Sequence, residues 1–510
     1  MPWQRKIYRF LNDEFSNRES ESKRMQKKPN RIIGIDLGTT NALVSCLQEG
    51  SPLIIPNERG SRTTPSVVCI KGDDEPEIIG EMARNQAVLN SEQTVANVKL
   101  AMGSERKYRL RQREYLPEEI SGLILARLKE NSEKYLDEEI HDAVITVPAY
   151  FDDQQRRATM RAAAMAGLKV RKLLNEPTAA ALAYSYGSNR PDAKLLVVDL
   201  GGGTLDITLV EYKDRVFQVK AVGGSTTLGG VNFDRRIINH VVQDFKETHS
   251  CDLSHDNIAF QQLVIQSEKA KVDLSSSTET TLMIPYISMT EKGPLHLNKV
   301  LTRSVFEGLV ASLLAEIKER ILATFSKSNL RTDWVDSVIL VGGSTRIPAL
   351  ETLILDIIDP HGKKQDLIKK AINQDEAVAN GAAIMAGILS AELVDIEFHD
   401  ITSHDLGILD HEDRFEVILS AGSIFPCEIS KLFTTATDNQ EEVVIRVVQK
   451  RGENEDSSLV SLGDFSLRVT GKRQKGGPDI DVSFAFDLNE MLTVSAVDLD
   501  THEKAEINIE

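Results

Sequence analysis

From about residue 31 to 390, short apolar runs alternate with segments whose apolar positions recur every three to four residues. "DAVITVP" (142–148) and "SVILVGG" (337–343) are short buried strands, while "DQQRRATMRAAAMAGL" (153–168) has a helical period, with Asp152 or Asp153 at its cap and Gly167 at its end. This mixture predicts an α/β domain. Beyond residue 400 the texture changes. "RFEVIL", "EEVVIRVV", "DIDVSFAF" and "LTVSAV" are alternating runs separated by polar turns, and Val482, Phe484 and Phe486 fall on one face. A small antiparallel β domain is expected at 401–510, joined to a domain at 31–390 by a linker, "AELVDIEFHD" (391–400).

One internal repeat stands out. "IIGIDLGTTNALVSCL" (32–47) and "LLVVDLGGGTLDITLV" (195–210) share an apolar strand, Asp-Leu-Gly, a small-residue turn and a second strand. Neither has the Lys-Ser/Thr of a P-loop nor a helix opened by a dinucleotide fingerprint. A Gly/Thr hairpin turn still converges backbone N–H groups on a phosphate, with Thr39, Thr40 and Thr204 adding hydroxyls. Asp36 and Asp199 would serve a Mg²⁺ that keeps most of its waters. Either hairpin alone reads equally well as a glycine turn in a sheet. Two in register predict a duplicated unit that grips a polyphosphate from both sides.

Two further segments extend the ligand. In "VILVGGSTRIPAL", Gly342 and Gly343 follow a buried strand and precede Ser344 and Arg346, a backbone and guanidinium against which a flat base can lie. In "FQQLVIQSEKAKVDLS", Glu268, Lys271 and Ser275 share one helix face, which taken alone is a solvated ion pair.

Composition and charge narrow the partners. At 510 residues the chain exceeds one hydrophobic core. Its net charge of -17 argues against nucleic acid or an anionic membrane as the main partner. The four cysteines lack metal-ligand spacing, which fits a reducing compartment. Residues 1–30 are basic and polar and predict a poorly ordered tail; no secretory h-region is present, which points to the cytoplasm, with a transit peptide as the alternative.

Together with "ITVPAYFDDQQRRAT" (145–159) and "LLNEPTAAALAY" (173–184), these motifs resemble the DnaK-type, heat-shock-70 chaperones over nearly all of the chain after residue 30. The resemblance implies a two-lobed actin-like ATPase domain followed by a β-sandwich. It implies Mg²⁺-dependent ATP hydrolysis to ADP, and binding of unfolded clients aided by a J-domain co-chaperone and an exchange factor. The same resemblance implies roles for single residues. Asp36, Gly38, Thr39, Thr40 and Asn41 match the first phosphate hairpin, and Asp199, Gly201, Gly202, Gly203, Thr204 and Asp206 match the second, with Gly230 nearby. Lys99 matches the lysine at the γ-phosphate and Glu176 the carboxylate near the attacking water. Glu268, Lys271, Ser275, Gly342, Gly343, Ser344, Arg346 and Asp375 match adenosine contacts. Pro148 and Arg156 match an allosteric relay. Ile408, His411, Phe433, Ala436, Val443 and Ile445 match positions that line or underlie a peptide groove, although a plain sandwich core accounts for Phe433 and Ile445 equally well.

Departures from the family pattern set further expectations. The linker, leucine-rich in the family, reads "IEFHD", so burial of Glu397 and His399 is expected to weaken docking and coupling. Val231 and Gln374 replace the usual Glu and Pro, and Lys172 an Arg at the J-domain contact, with Arg171 adjacent. His411 predicts peptide affinity that falls on protonation near pH ~6.5. The sequence ends at "KAEINIE", where the sandwich ends in this family, so an uncovered groove with fast peptide exchange is expected. The leading reading is a monomeric ATP-dependent chaperone. A non-folding co-chaperone or exchange relative with little turnover is the alternative, and an actin-fold sugar kinase is disfavoured by the all-β C-terminal domain.

Overall fold

The two Asp-Leu-Gly hairpins lie at matching places in two sheets. In the first, strands run in the order Lys169–Asn175, Asp142–Val147, Ile32–Asp36, Asn41–Gln48, Ser51–Ile55. In the second the order is Ser337–Val341, Asp192–Leu200, Leu205–Lys213, Val216–Ser225. Each hairpin strand that carries the Asp has a parallel neighbour on one side and its antiparallel hairpin partner on the other. Asp36 is in register with Thr146, and Asp199 with Val341. This computed structural model describes residues 31–508, apart from 73–75, 189–191, 291–292, 365, 370–372, 394–396, 452–457, 471–472 and 490. The tail expected at 1–30 lies outside the described residues.

Burial explains why these segments are strands. Asp142–Val147 and Ser337–Val341 are buried at every position, as parallel strands covered on both faces must be. The helix Asp153–Met165 begins as its sequence requires: the Asp152 carboxylate accepts from the Gln155 amide while the Gln155 side chain accepts from the Asp152 amide. Helices Glu176–Ser188 and Ala377–Leu389, rich in alanine, pack together between the sheets. Their small side chains allow close approach, and at Gly381 an added Cβ would come within 1.8 Å of the Ala179 carbonyl oxygen.

The C-terminal part is two four-stranded sheets, ordered Phe415–Leu419, Leu406–Leu409, Glu442–Arg451, Ser458–Arg468 and Cys427–Phe433, Ile480–Phe486, Leu492–Asp498, Lys504–Asn508. Ile480–Phe486 and Leu492–Asp498 alternate buried and half-buried without exception. Their inner faces pack with Leu406, Ile408, Ile445 and Val447 into one core. This is the sandwich expected from the alternating runs. The fold class is therefore the two-lobed α/β domain with a following β-sandwich.

The linker segment is not a bare tether. Glu397–Ile401 joins the second sheet as a further strand, parallel to Val216–Ser225, with Phe398 opposite Phe217. Its far end pairs with Ile424–Phe425 of the sandwich. Because strand side chains alternate, Glu397 and His399 share the outer face, where they are 66% and 37% exposed and 2.9 Å apart. Glu397 is therefore exposed and His399 only half-buried, and the two pair with each other rather than lying buried without partners. Phe398 instead packs beside the core that contains Phe217, and Asp400 and Ile401 are buried.

Candidate functional site

A cleft of about 360 Å³ opens between the two sheets. It is lined by Asp36, Gly38, Thr39, Thr40 and Asn41 from the first hairpin and Asp199, Gly201, Gly202 and Thr204 from the second. Lys99, Glu176, Glu268, Lys271, Ser275, Gly342, Gly343, Ser344, Arg346 and Asp375 complete the set drawn from the sequence. Gly203, Gly230 and Asp206 lie just behind that lining. The Gly230 amide donates to the Gly201 carbonyl at 2.9 Å, and Asp206 faces Asp199 across its own hairpin. The lobes meet here at close range, for a Cβ on Gly202 would lie 2.2 Å from Thr40 Oγ1. Gly342 holds a left-handed φ of 79°, and an added Cβ would meet the Leu200 carbonyl oxygen at 2.5 Å, so only glycine fits.

Electrostatics concentrate at the hairpin end. Lys99 Nζ donates to Glu176 Oε1, both side chains being almost fully buried. Burial, and then the nearby Glu176 carboxylate, push Asp36 up to about 7 and Asp206 up to about 8. The same two causes raise Asp199 well above the ordinary range. Asp206 Oδ1 accepts from the Tyr150 amide at 3.3 Å, while Oδ2 has no partner among the described residues. Three buried carboxylates, Glu176, Asp199 and Asp206, and the half-buried Asp36 thus face one lysine. Such a set is short of positive charge, which is what a divalent cation supplies. Among the described residues no group of three or more His, Cys, Asp or Glu side chains is placed to hold a metal directly, so a Mg²⁺ here would be held by Asp36 and Asp199 through water. The residues present fit Mg²⁺.

At the other end of the cleft, Arg346 grips Asp375 through two hydrogen bonds of 3.2 and 2.8 Å, and its side chain is part-exposed. Lys271 pairs with Asp234 at 2.9 Å and also donates to the Gly230 carbonyl. Asp234 was not foreseen: its sequence neighbourhood is only a helix, and its partner lies 37 residues away. The buried Leu43, Val341 and Val378 also line the cleft, as do the half-buried Thr63 and the exposed Val272, and none of them carried a sequence signal.

A second cluster links the cleft to the sandwich. Arg156 is 2% exposed and donates to the Phe151 carbonyl and to Asn175 Oδ1, and Asn175 Nδ2 donates to Asp400 Oδ2 at 3.1 Å. The Phe151 amide donates to the Pro148 carbonyl. Lys172 Nζ donates to the Leu488 carbonyl and lies 5.5 Å from the Phe398 ring and 5.6 Å from the Phe425 ring. The Leu173 amide donates to Asn489 Oδ1. Arg171, by contrast, is partly exposed, 3.8 Å from Asp142. Of the groove positions, Ile408 and Ile445 belong to the sandwich core, and Phe433 and Val443 pack against it. Ala436 is half-buried, its amide donating to Gln440, and His411 is 58% exposed beside Glu412.

Two lobes closing glycine hairpins over a carboxylate-rich cleft define an actin-like ATPase, and the strand-docked sandwich narrows the class. The family model described as Hsp70 protein matches residues 32–112 and 105–510. A chaperone protein DnaK from Thermosipho melanesiensis is 44% identical over 483 residues, 94% of this chain and 80% of that relative. The chain belongs to the Hsp70 family, whose members are Mg²⁺-dependent ATPases. Among the described residues no helix is long and apolar enough to cross a membrane.

Proposed function

We propose that this chain is an ATP-dependent molecular chaperone that binds extended apolar segments of unfolded proteins and relays the state of its nucleotide cleft to them through the linker strand. The observation that carries the reading is one continuous path. The buried Lys99–Glu176 pair opens the helix that follows Asn175, and Asn175 hydrogen-bonds both Arg156 and Asp400.

In this reading Lys99 presents its charge to the terminal phosphate, and Glu176 holds that ammonium in place. The Gly201–Thr204 turn and Thr39–Asn41 offer backbone and hydroxyl donors to the phosphate chain. Asp206 Oδ2, buried and without a partner among the described residues, accepts a hydrogen bond from the attacking water and orients it. Asp36 and Asp199 would hold a Mg²⁺, whose charge would neutralise the phosphate oxygens. Phosphoryl transfer asks for little beyond such positioning and charge neutralisation. Glu268, Lys271, Ser275, Gly342, Gly343, Ser344, Arg346 and Asp375 hold the adenosine.

The sandwich binds peptide by main-chain hydrogen bonds and a side-chain pocket. Ala436, Phe433 and Val443 border that pocket, and Ile408 and Ile445 support it from the core. Coupling runs through Pro148, Arg156 and the linker strand. Weakened coupling was expected from Glu397 and His399, and both lie on the outer face, so coupling of ordinary strength is the better reading. The chain works as a cytoplasmic monomer, with a J-domain co-chaperone and an exchange factor as partners.

Single-turnover ATP hydrolysis with and without an apolar peptide tests this. Wild type hydrolyses ATP faster with peptide, and Lys99→Ala loses about 100-fold or more. Absence of turnover in wild type would instead favour the co-chaperone or exchange-factor reading.

A further inference from the structure

Lys99 and its neighbour Leu100 share the 3-10 turn Val98–Ala101, yet their surroundings are opposite: Lys99 is buried against Glu176, and Leu100 is 41% exposed. The turn itself is firmly seated in the first lobe. Asn97 enters it in the left-handed conformation, at φ 56°, and its carbonyl accepts from the Leu100 amide at 3.2 Å. Met102 leaves it fully packed, with Ser121 Oγ donating to its sulfur. Gly103 then presses on the backbone of the neighbouring helix, where an added Cβ would meet the Gln155 nitrogen at 2.8 Å.

From this platform Leu100 reaches across to the other lobe. A Cβ built on Gly203 would lie 2.3 Å from Leu100 Cδ2, 3.1 Å from its Cγ and 3.0 Å from Thr39 Oγ1. Gly203 is also touched within its own lobe, since a Cβ on Gly229 would fall 2.4–2.5 Å from the Gly203 backbone. The middle of the second phosphate hairpin is therefore held between Gly229 and the first lobe. Leu100 is the apolar part of that hold. It offers no hydrogen bond to a phosphate, so what it supplies is contact.

We propose that Leu100 is a positioning residue for hydrolysis: it seats the Gly203–Thr204 backbone at a fixed separation from Lys99. This rests on the ATPase reading above. An atom misplaced by about 1 Å near reacting groups costs up to about 100-fold in rate, whereas the adenosine end of the cleft does not depend on Leu100.

The test is single-turnover hydrolysis at saturating ATP, with nucleotide affinity and Tm measured on the same full-length preparations of wild type, Leu100→Ala, Leu100→Met, Gly203→Ala and the Leu100→Ala/Gly203→Ala double variant. Leu100→Ala is expected to hydrolyse about tenfold more slowly with affinity changed less than about threefold, and Leu100→Met to recover most of the rate. Gly203→Ala is expected to lose hydrolysis, and the double variant to recover part of it, because the shortened side chain leaves room for the new Cβ. A Leu100→Ala rate within twofold of wild type would overturn the proposal, as would a double variant no faster than Gly203→Ala alone. Wild type inactive alongside Lys99→Ala would instead count against the ATPase reading itself.

Discussion

Asp206 lies fully buried, one carboxylate oxygen on the Tyr150 amide and the other without a partner among the described residues. With Asp36 pushed up to about 7 and Asp206 to about 8, the folded chain retains protons that the unfolded chain has already released above pH ~4. The folded state therefore binds more protons than the unfolded state between those limits, and its stability falls as pH rises through them. A cation that neutralises these carboxylates relieves that cost. The stabilisation given by Mg²⁺-nucleotide should consequently be larger at pH 8 than at pH 6, which thermal melts with and without Mg²⁺-ATP would read; an equal or smaller shift at pH 8 would contradict the assignment of charge. At this scale the sequence was informative where a motif repeats, as at Asp36 and Asp199. It was silent where partners meet only in space, as with Asp234 and Lys271. Lys99 and Glu176 were reached only through family resemblance, because a lysine in a short turn and a glutamate at a helix start look ordinary one by one.

The linker strand decides the reading at the level of elements. Its main chain supplies the pairing with Val216–Ser225, and this pairing is indifferent to outward side chains. Phe398 and Asp400 are the positions that face the protein. Phe398→Ala should abolish peptide stimulation of ATP hydrolysis while leaving the unstimulated rate nearly intact. Asp400→Asn removes an acceptor for either the Ile401 amide or Asn175, a loss on the order of 1–3 kcal/mol of docking, and should cut stimulation about tenfold. Glu397→Ala and His399→Ala should both stay within about twofold of wild type, as exposed substitutions usually do. Stimulation lost in Glu397→Ala but kept in Phe398→Ala would invert the assigned faces. The alternation was readable in "IEFHD" itself; what the sequence did not reveal was that this segment pairs with a strand at all, since the partner edge is 181 residues earlier in the chain.

Across the whole molecule, two lobes built on one sheet plan bring both hairpins to a single cleft, and the second sheet then continues through the linker into the sandwich. The strand alternation of the C-terminal domain and the α/β texture before it were legible from periodicity alone. Seating of the sandwich against the ATPase lobes was not, because it depends on scattered polar contacts such as Arg157 to the Leu492 carbonyl and the Tyr150 ring 4.8 Å from His404. These contacts join the sandwich to the lobe that carries Lys99. Nucleotide in the cleft and peptide on the sandwich are thus proposed to share one conformational equilibrium. This coupling is tested most directly by the rate at which a labelled apolar peptide leaves the chain, measured with and without Mg²⁺-ATP. Release accelerated about tenfold or more by ATP, and unchanged by ATP in Asp400→Asn, is the predicted result; a release rate that ATP does not alter in the wild-type chain would contradict it.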